Sequence, residues 1–112
     1  MVETLSATVD KAHLRAWVPD DLRWFEGHFE GRPMLPGIAQ LLLLVQRRGI
    51  EVFGPLGREH RIVRLRFEAV IEPGDIVDVH LERRPEEDGL RLQFVVERAG
   101  TACASGAIVY RA

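Results

Sequence analysis

The apolar stretch GIAQLLLLVQRRGIEVFG, which follows Pro36, limits more than any other feature how this chain can fold. Proline suits the first turn of a helix, good helix formers come next, and Gly54-Pro55 ends the pattern, so one helix is predicted over residues 36–53. Its first three turns are apolar nearly all round, interrupted by Gln40, whereas a helix on a protein surface has a polar face. Other parts of the chain must therefore wrap around this helix.

Six further segments have the features of β-strands. Two short ones before the helix, residues 4–9 and 12–18, predict a hairpin. Three after the helix alternate apolar with polar residues, as half-buried strands do, and a fourth is small and β-compatible without a clear face. These four segments are residues 63–68, 77–82, 90–97 and 102–110.

The first strand after the helix alternates Val63, Leu65 and Phe67 with charged residues, so these three side chains are predicted on one face. Turn residues separate the later strands at Pro73-Gly74-Asp75, Asp88-Gly89 and Gly100-Thr101. Two strands, a nearly all-apolar helix and four more strands predict an α+β fold, in which a curved antiparallel sheet wraps around one long central helix.

The size and composition of the chain predict a single domain over residues 1–112. Apolar residues make up 46% of the chain and charged residues 29%, which is typical of a folded globular domain. A domain of this size buries about two thirds of its unfolded surface. A sizeable ligand site is therefore expected to be open at the surface or shared with a second subunit.

Charge and cysteine content argue against several classes of function. The formal net charge is −2 and basic residues are scattered among acidic ones, so nucleic acid is not an expected partner. The first residues lack the basic and apolar regions of a signal peptide, and the apolar run at 41–45 is too short to span a membrane, so a cytoplasmic protein is expected. A single cysteine, Cys103, excludes an intrachain disulfide and a cysteine-based zinc site, and no metal is expected.

Residues 24–37, WFEGHFEGRPMLPG, resemble the active-site signature of the hot-dog-fold 3-hydroxyacyl-[acyl carrier protein] dehydratases. That signature reads F-x-G-H-F-P-G-x-P-x-x-P-G before a buried helix. The matching positions are Phe25, Gly27, His28, Phe29, Gly31, Pro33, Pro36 and Gly37. The resemblance continues to Phe67, six positions before Pro73-Gly74-Asp75. Within the family, VPDDLRWFEGHF together with LPGIAQL is similar to the short dehydratase branch associated with aryl polyene pathways.

The resemblance implies a hot-dog fold and an acyl-thioester site built around His28. Dehydration of a 3-hydroxyacyl thioester needs a base for the C2 proton, a donor for the enolate-like oxygen and an acid for the departing hydroxyl. In the family arrangement His28 is the base, since an imidazole titrates near neutral pH. The backbone N–H of Gly37, at a helix start, is the donor to the thioester oxygen.

An apolar tunnel is expected beside His28 and Gly37 to hold the acyl chain. The residues predicted to bind substrate are Phe29, Met34, Leu35, Pro36, Ile38 and Leu42. The substrate is carried on phosphopantetheine or CoA, and no other cofactor is implied. An acidic acyl carrier protein could contact four arginines, which could equally form a solvated face: Arg23, Arg32, Arg47 and Arg48.

One position departs from the family pattern. The family places a Glu or Asp on the central helix fourteen residues after the histidine, and here that position is Leu42, with no acid between Glu30 and Glu51. A positioned acid contributes about 10²- to 10⁴-fold in rate. The chain alone is therefore expected to be a poor dehydratase or none.

Leu42 leaves several interpretations open. In the hot-dog dimer of this family the histidine of one protomer faces the helix acid of the other, so a related subunit could supply the acid in a heterodimer. In a homodimer, water or Gln40 could assist the departing hydroxyl. A third interpretation is a non-catalytic subunit that binds acyl thioesters or supports a partner. A hot-dog thioesterase would instead need a residue that activates water on the helix, and no side chain there is suited to this.

Overall fold

The computed structural model describes residues 2–19 and 34–112. Two strands come first, β1 (Val2–Ala7) and β2 (Lys11–Trp17). Three helical segments follow one another without a break and form the central helix: α1 (Gly37–Ala39), a π-helical stretch (Gln40–Gln46) and α2 (Arg47–Phe53). The remaining strands are β3 (Arg58–Phe67), β4 (Ile76–Glu86), β5 (Gly89–Arg98) and β6 (Thr101–Arg111).

The strands of the described residues form one antiparallel sheet in the order β1-β2-β4-β5-β6-β3. The predicted hairpin before the helix is confirmed by the pairing of β1 with β2. The helix predicted over 36–53 is confirmed to within one residue. The architecture is thus the predicted α+β arrangement, a hot-dog fold with one central helix packed against one sheet.

The core lies between the helix and the inner faces of the middle strands. Every second residue is apolar and almost fully buried over residues 12–16 of β2, 77–81 of β4 and 92–96 of β5, as the alternation predicts. These residues are Ala12, Leu14, Ala16, Val77, Val79, Leu81, Leu92, Phe94 and Val96. In β6 successive residues are buried, from Ala107 to Tyr110, because side chains on both of its faces are covered. This is why the sequence of β6 shows no clear face.

The central helix has a buried side and an open side. Its core side chains include Ala39, Leu44 and Val45. Ile38 and Leu42, by contrast, are 59% and 39% exposed. Within the described residues the sheet therefore covers one side of the helix and leaves apolar residues on the other side exposed.

Seven residues in the middle of this helix are π-helical. The backbone N–H of Arg47, just after the stretch, donates to the carbonyl of Leu42, five residues back instead of four. Hydrophobic periodicity does not distinguish this spacing from an α-helix over so short a stretch. Such turns are rare and are found frequently at functional sites.

Strand β3 contains a β-bulge. Arg64 and Leu65 together lie opposite Gly106 of β6, so β3 has one residue more than its partner at this point. Arg64 has a φ of 54° and Gly106 a φ of 152°. A Cβ on residue 106 would lie 3.1 Å from the Cα of Leu65 and 3.2 Å from the carbonyl oxygen of Val63, so the bulge needs glycine there.

The bulge changes which side chains of β3 face the helix. Phe67 pairs with Ala104, which pairs in turn with the buried Val96, so Phe67 belongs to the inner face. The prediction that Val63, Leu65 and Phe67 share one face is wrong, because the extra residue reverses the alternation between Val63 and Phe67.

The outer face of the sheet carries two stacked histidines. The rings of His13 on β2 and His80 on β4 have centroids 4.3 Å apart. The His13 Nε2 lies 2.9 Å from Asp78 Oδ1, and the His80 Nε2 lies 2.7 Å from Glu97 Oε1. Hydrogen bonds from His13 and then from Arg15 lower the pKa of the Asp78 carboxyl from its ordinary value, against the opposing effect of burial.

Substituting Gly106 with alanine should destabilise the fold, because the new methyl group meets the backbone of the bulge. We expect a loss of about 1–3 kcal/mol in the free energy of unfolding, as is typical when a non-glycine residue occupies a strained backbone position. Urea unfolding followed by circular dichroism measures it. Ser105→Ala, on the neighbouring residue of β6, is the control and should stay within about 0.5 kcal/mol. Equal midpoints for the two variants would contradict the role of the bulge.

Substituting Asp78 with asparagine should make the free energy of unfolding less dependent on pH. A carboxyl whose pKa is lower in the folded state stabilises the fold above its unfolded pKa, about 3.9, and this contribution is lost as the pH falls through the folded pKa. We expect Asp78→Asn to cost on the order of 1 kcal/mol at pH 7 and less at pH 3. Urea midpoints at pH 7, 5 and 3 test this, with the exposed Glu87→Gln as control. A difference that stays constant from pH 7 to pH 3 would show that the Asp78 contacts do not favour its ionised form.

Candidate active site

The central helix begins where the predicted motif ends. Pro36 is extended, with φ −60° and ψ 152°, and Gly37 is the first helical residue. The backbone N–H of Gln40 donates to the Pro36 carbonyl over 3.0 Å and closes the first turn. The first N–H groups of a helix have no acceptor within it and lie at the positive end of its dipole. The Gly37 N–H therefore has no acceptor inside the helix and lies at the positive end of its dipole.

The ring of Phe67 packs against Gly37. A Cβ on residue 37 would lie 2.6 Å from the Cζ and 2.8 Å from the Cε2 of this ring, closer than real Cβ contacts. Phe67 reaches this position because the bulge places it on the inner face of β3. Residue 37 thus has no room for a side chain unless the ring moves. Sequence reasoning noted Phe67 for its place in the alternation of β3 and for its spacing from the Pro73-Gly74-Asp75 turn, and assigned it no function.

Exposed apolar side chains occur at and around the helix start. Met34 and Phe67 are 43% and 47% exposed, in addition to Ile38 and Leu42. We call these four residues the open apolar face. Exposed apolar residues grouped in this way mark sites for a ligand or for another protein. Three of the residues predicted to bind substrate therefore lie where a ligand can reach them.

The other residues predicted to bind substrate differ from these three. Leu35 belongs to the hydrophobic core and is 3% exposed, so its side chain is not part of the open apolar face. Pro36 is half-buried at the helix start. The predicted base His28 and the predicted contact Phe29 lie outside the described residues, and their functions stay predictions.

Gln40 does not share a side of the helix with Leu42. Its side chain is buried, and its Nε2 donates to the carbonyl oxygen of Leu35 over 3.3 Å. Its Oε1 is buried without a hydrogen-bond partner in the part of the chain that the structure describes. The hypothesis that Gln40 assists a departing hydroxyl next to Leu42 is therefore not favoured by this geometry.

The arginines proposed for a carrier protein fall into three groups. Arg23 and Arg32 lie outside the described residues. Arg48 is largely buried and its Nη2 lies 2.7 Å from Glu51 Oε1, so it is already paired. Arg47 is exposed on the helix. Of the described members of the set, only Arg47 is positioned for an intermolecular contact.

A separate groove of the described residues lies elsewhere on the molecule. It has a volume of about 1070 Å³ and runs across the outer face of the sheet, where His13, His80, Arg64 and Arg91 are among its lining residues. No member of the open apolar face lines it. Its lining mixes charged residues with apolar ones and does not include the helix start, so the open apolar face next to Gly37 is the better candidate for a thioester site.

Residues 2–19 and 34–112 contain no arrangement typical of a metal site. No group of three or more histidine, cysteine or acidic side chains there is placed to hold a metal ion. No helix in the same residues has the length and hydropathy needed to cross a membrane.

Two solved structures have a fold that covers nearly the whole chain. The dehydratase heterocomplex ApeI:P from Xenorhabdus doucetiae superimposes with a TM-score of 0.79 at 21% identity, covering 97% of this chain and 95% of that chain. A hypothetical thioesterase from Streptococcus pneumoniae TIGR4, solved with coenzyme A, gives 0.73 at 10% identity, covering 97% and 86%. At these identities the likeness establishes the fold alone.

Sequence comparison gives the family. A 3-hydroxyacyl-[acyl-carrier-protein] dehydratase FabZ from Pectobacterium atrosepticum is 32% identical over 92 residues, which are 74% of this chain and 53% of that protein. The chain thus spans about half the length of the curated relatives it matches. The family model described as ApeI-like, ApeI dehydratase, matches residues 4–107. With the helix start at Gly37 and the hot-dog sheet in place, this match shows that the chain belongs to the ApeI dehydratase family.

Proposed function

We propose that this protein acts on 3-hydroxyacyl thioesters as a subunit of a dehydratase, with the thioester carried on an acyl carrier protein or on CoA. The observation that supports this best is the backbone N–H of Gly37 at the helix start, beside the open apolar face. An acyl chain requires an apolar surface, and its thioester oxygen requires a hydrogen-bond donor. Both are present within the first two turns of the central helix.

The proposed dehydration needs three groups, of which this chain supplies two and lacks the third. His28, as base, takes the C2 proton, and the electron pair moves toward the thioester carbonyl. The Gly37 N–H donates to that oxygen as it gains negative charge, with the helix dipole in support. The enolate electron pair then forms the C2–C3 double bond as the C3–O bond breaks, and the hydroxyl must receive a proton to leave as water. Nothing on this chain at position 42 can give that proton.

A second hot-dog subunit is the proposed source of the acid. The open apolar face is uncovered in the single chain, and β3 forms one edge of the sheet. A second subunit over both would cover exposed apolar residues and pair an edge strand, which proteins rarely leave free. It would also convert the open face into an enclosed tunnel. The similar protein from Xenorhabdus doucetiae is a dehydratase heterocomplex, which supports such an assembly here.

A non-catalytic subunit that binds acyl thioesters is the alternative with an observation in its favour. Leu42 is apolar and 39% exposed, so its side chain can contact an acyl chain or a partner subunit. It has no proton to supply to a departing hydroxyl. Thioester hydrolysis is less well supported, because activating water needs a polar side chain, and Ile38 and Leu42 on the open side of the helix are apolar.

Substituting Leu42 with glutamate should raise the rate of dehydration by the homodimer. The new carboxyl would lie on the open side of the helix and could protonate the departing hydroxyl. A gain of about tenfold corresponds to roughly 1.4 kcal/mol of barrier, well within the effect of a positioned acid. The measurement is formation of the enoyl thioester from a 3-hydroxyacyl thioester, with folding checked by circular dichroism.

Three comparisons make this experiment decisive. Leu42→Gln has the shape of glutamate without an ionisable proton and should give no gain. His28→Ala should abolish turnover in either background. High activity of the unmodified homodimer would show that no acid is needed at position 42. Absence of turnover in every variant, with acyl-thioester binding retained, would favour the binding subunit.

Substituting Gly37 with alanine should lower turnover by about 10- to 100-fold, because the new methyl group and the Phe67 ring cannot occupy the same space, and either the ring at this wall of the site or the N–H must shift. Phe67→Leu shortens the side chain that causes the conflict. We therefore expect the double variant Gly37→Ala, Phe67→Leu to recover part of the rate and of the free energy of unfolding lost by Gly37→Ala. A double-mutant cycle in both quantities measures this. Strictly additive effects would mean that the ring does not constrain residue 37.

A further inference from the structure

The loop between β3 and β4 is held by one arginine of β5. The Nη1 of Arg98 donates to the carbonyl oxygen of Val70 over 2.6 Å and to Oδ2 of Asp75 over 3.0 Å. The same Asp75 oxygen accepts the backbone N–H of Glu72 over 2.7 Å. Both ends of the tight turn at residues 72–75 are thus connected to a central strand of the sheet. The hydrogen bond to Asp75 raises the pKa of Arg98 from its ordinary value, consistent with a pair formed in the folded state.

This loop also holds the chain on both sides of the segment that carries the motif. On the N-terminal side, the backbone N–H of Val18 donates to the Asp75 carbonyl over 2.9 Å, and the N–H of Gly74 donates to the Val18 carbonyl over 2.8 Å. On the C-terminal side, the N–H of Leu35 donates to the Ile71 carbonyl over 2.7 Å. Val18 and Leu35, the described residues on the two sides of the segment that includes His28, are therefore both hydrogen-bonded to the same loop.

The anchoring residues are firmly placed. Val18, Leu35 and Ile71 are all buried in the core, with Ile71 fully inaccessible. Leu35 is followed directly by Pro36 and Gly37, so a shift of the Ile71 carbonyl would move the helix start as well as the end of the motif segment. A displacement of about 1 Å at a reacting group can cost about 100-fold in rate.

We propose that Arg98 is a positioning residue, which acts through Val70 and Asp75 to fix both ends of the segment bearing His28. It makes no contact with substrate in this role. Its consequence for the rate rests on the proposed dehydratase function, whereas its consequence for the backbone at Val18 and Leu35 does not. Loss of the guanidinium would leave the Val70 carbonyl and the Asp75 carboxylate without this shared donor and free the loop to move.

Amide hydrogen exchange tests the structural half of the proposal. In Arg98→Met the amides of Leu35 and Val18 should exchange at least tenfold faster relative to the core amide of Val79 on β4. Arg98→Lys keeps a charged donor group and should restore much of the protection. Arg91→Met is the matched control, since Arg91 lies on the same strand and pairs with Glu86 at 2.9 Å, away from the loop. Unchanged relative exchange at Leu35 in Arg98→Met would overturn the proposal, whatever the activity.

Steady-state kinetics with a 3-hydroxyacyl-CoA test the functional half. We expect Arg98→Met to lower kcat at least tenfold with KM changed less than threefold, Arg98→Lys to recover most of kcat, and Arg91→Met to match the unmodified chain. Faster exchange at Leu35 with kcat unchanged would overturn the positioning role. Absence of turnover in the unmodified chain would count against the idea that this chain is a dehydratase without a partner. The ratios of amide exchange rates would then decide whether Arg98 anchors the segment.

Discussion

Burial of one side of the central helix against the sheet is the constraint on which the other features depend. Small and branched side chains on β2, β4 and β5 form a continuous apolar surface, and the helix contributes Ala39, Leu44 and Val45 to the same core. Each large apolar side chain contributes about 1.5–3 kcal/mol when it is fully buried. Because these contacts determine which side of the helix is buried, they also determine which side faces away from the sheet. Ile38 and Leu42 are exposed as a consequence of core packing.

Much of the fold can be predicted from the sequence because it depends on local periodicity. The alternation of Val77 and Val79 with polar residues predicts an inner face of β4, and the apolar run after Pro36 predicts the helix. Two features cannot be found in this way. The bulge at Arg64 and Leu65 depends on the register with β6, and the π-helical stretch depends on which carbonyl each N–H selects. Neither leaves a signal in the order of apolar and polar residues.

In the candidate site, too, local features could be predicted from the sequence and long-range contacts could not. Gly37, Ile38 and Leu42 could be identified because they are close together in the chain, at a helix start that the sequence marks clearly. The contact of Phe67 with Gly37 and the anchoring of Leu35 by the loop after β3 join residues far apart in sequence. The hydrogen bond from Gln40 to the Leu35 carbonyl joins residues that are close in sequence, but only the structure shows that it turns the Gln40 amide away from Leu42. Motif spacing can thus indicate candidate residues for a site and not what holds them in place.

The bulge in β3 allows the number of residues in this strand to differ without a change in the direction of the Phe67 side chain. On one side of it Val63 pairs with Ala107, and on the other Phe67 pairs with Ala104, with one residue to spare between them. Deletion of Leu65 would leave both pairings possible and keep the phenyl ring directed at the helix start. The strand can therefore lose one residue at this point without altering this wall of the site. A chain one residue shorter at this point would be offset by one position in a comparison by residue count, while its residue paired with position 104 would keep the same place in the sheet.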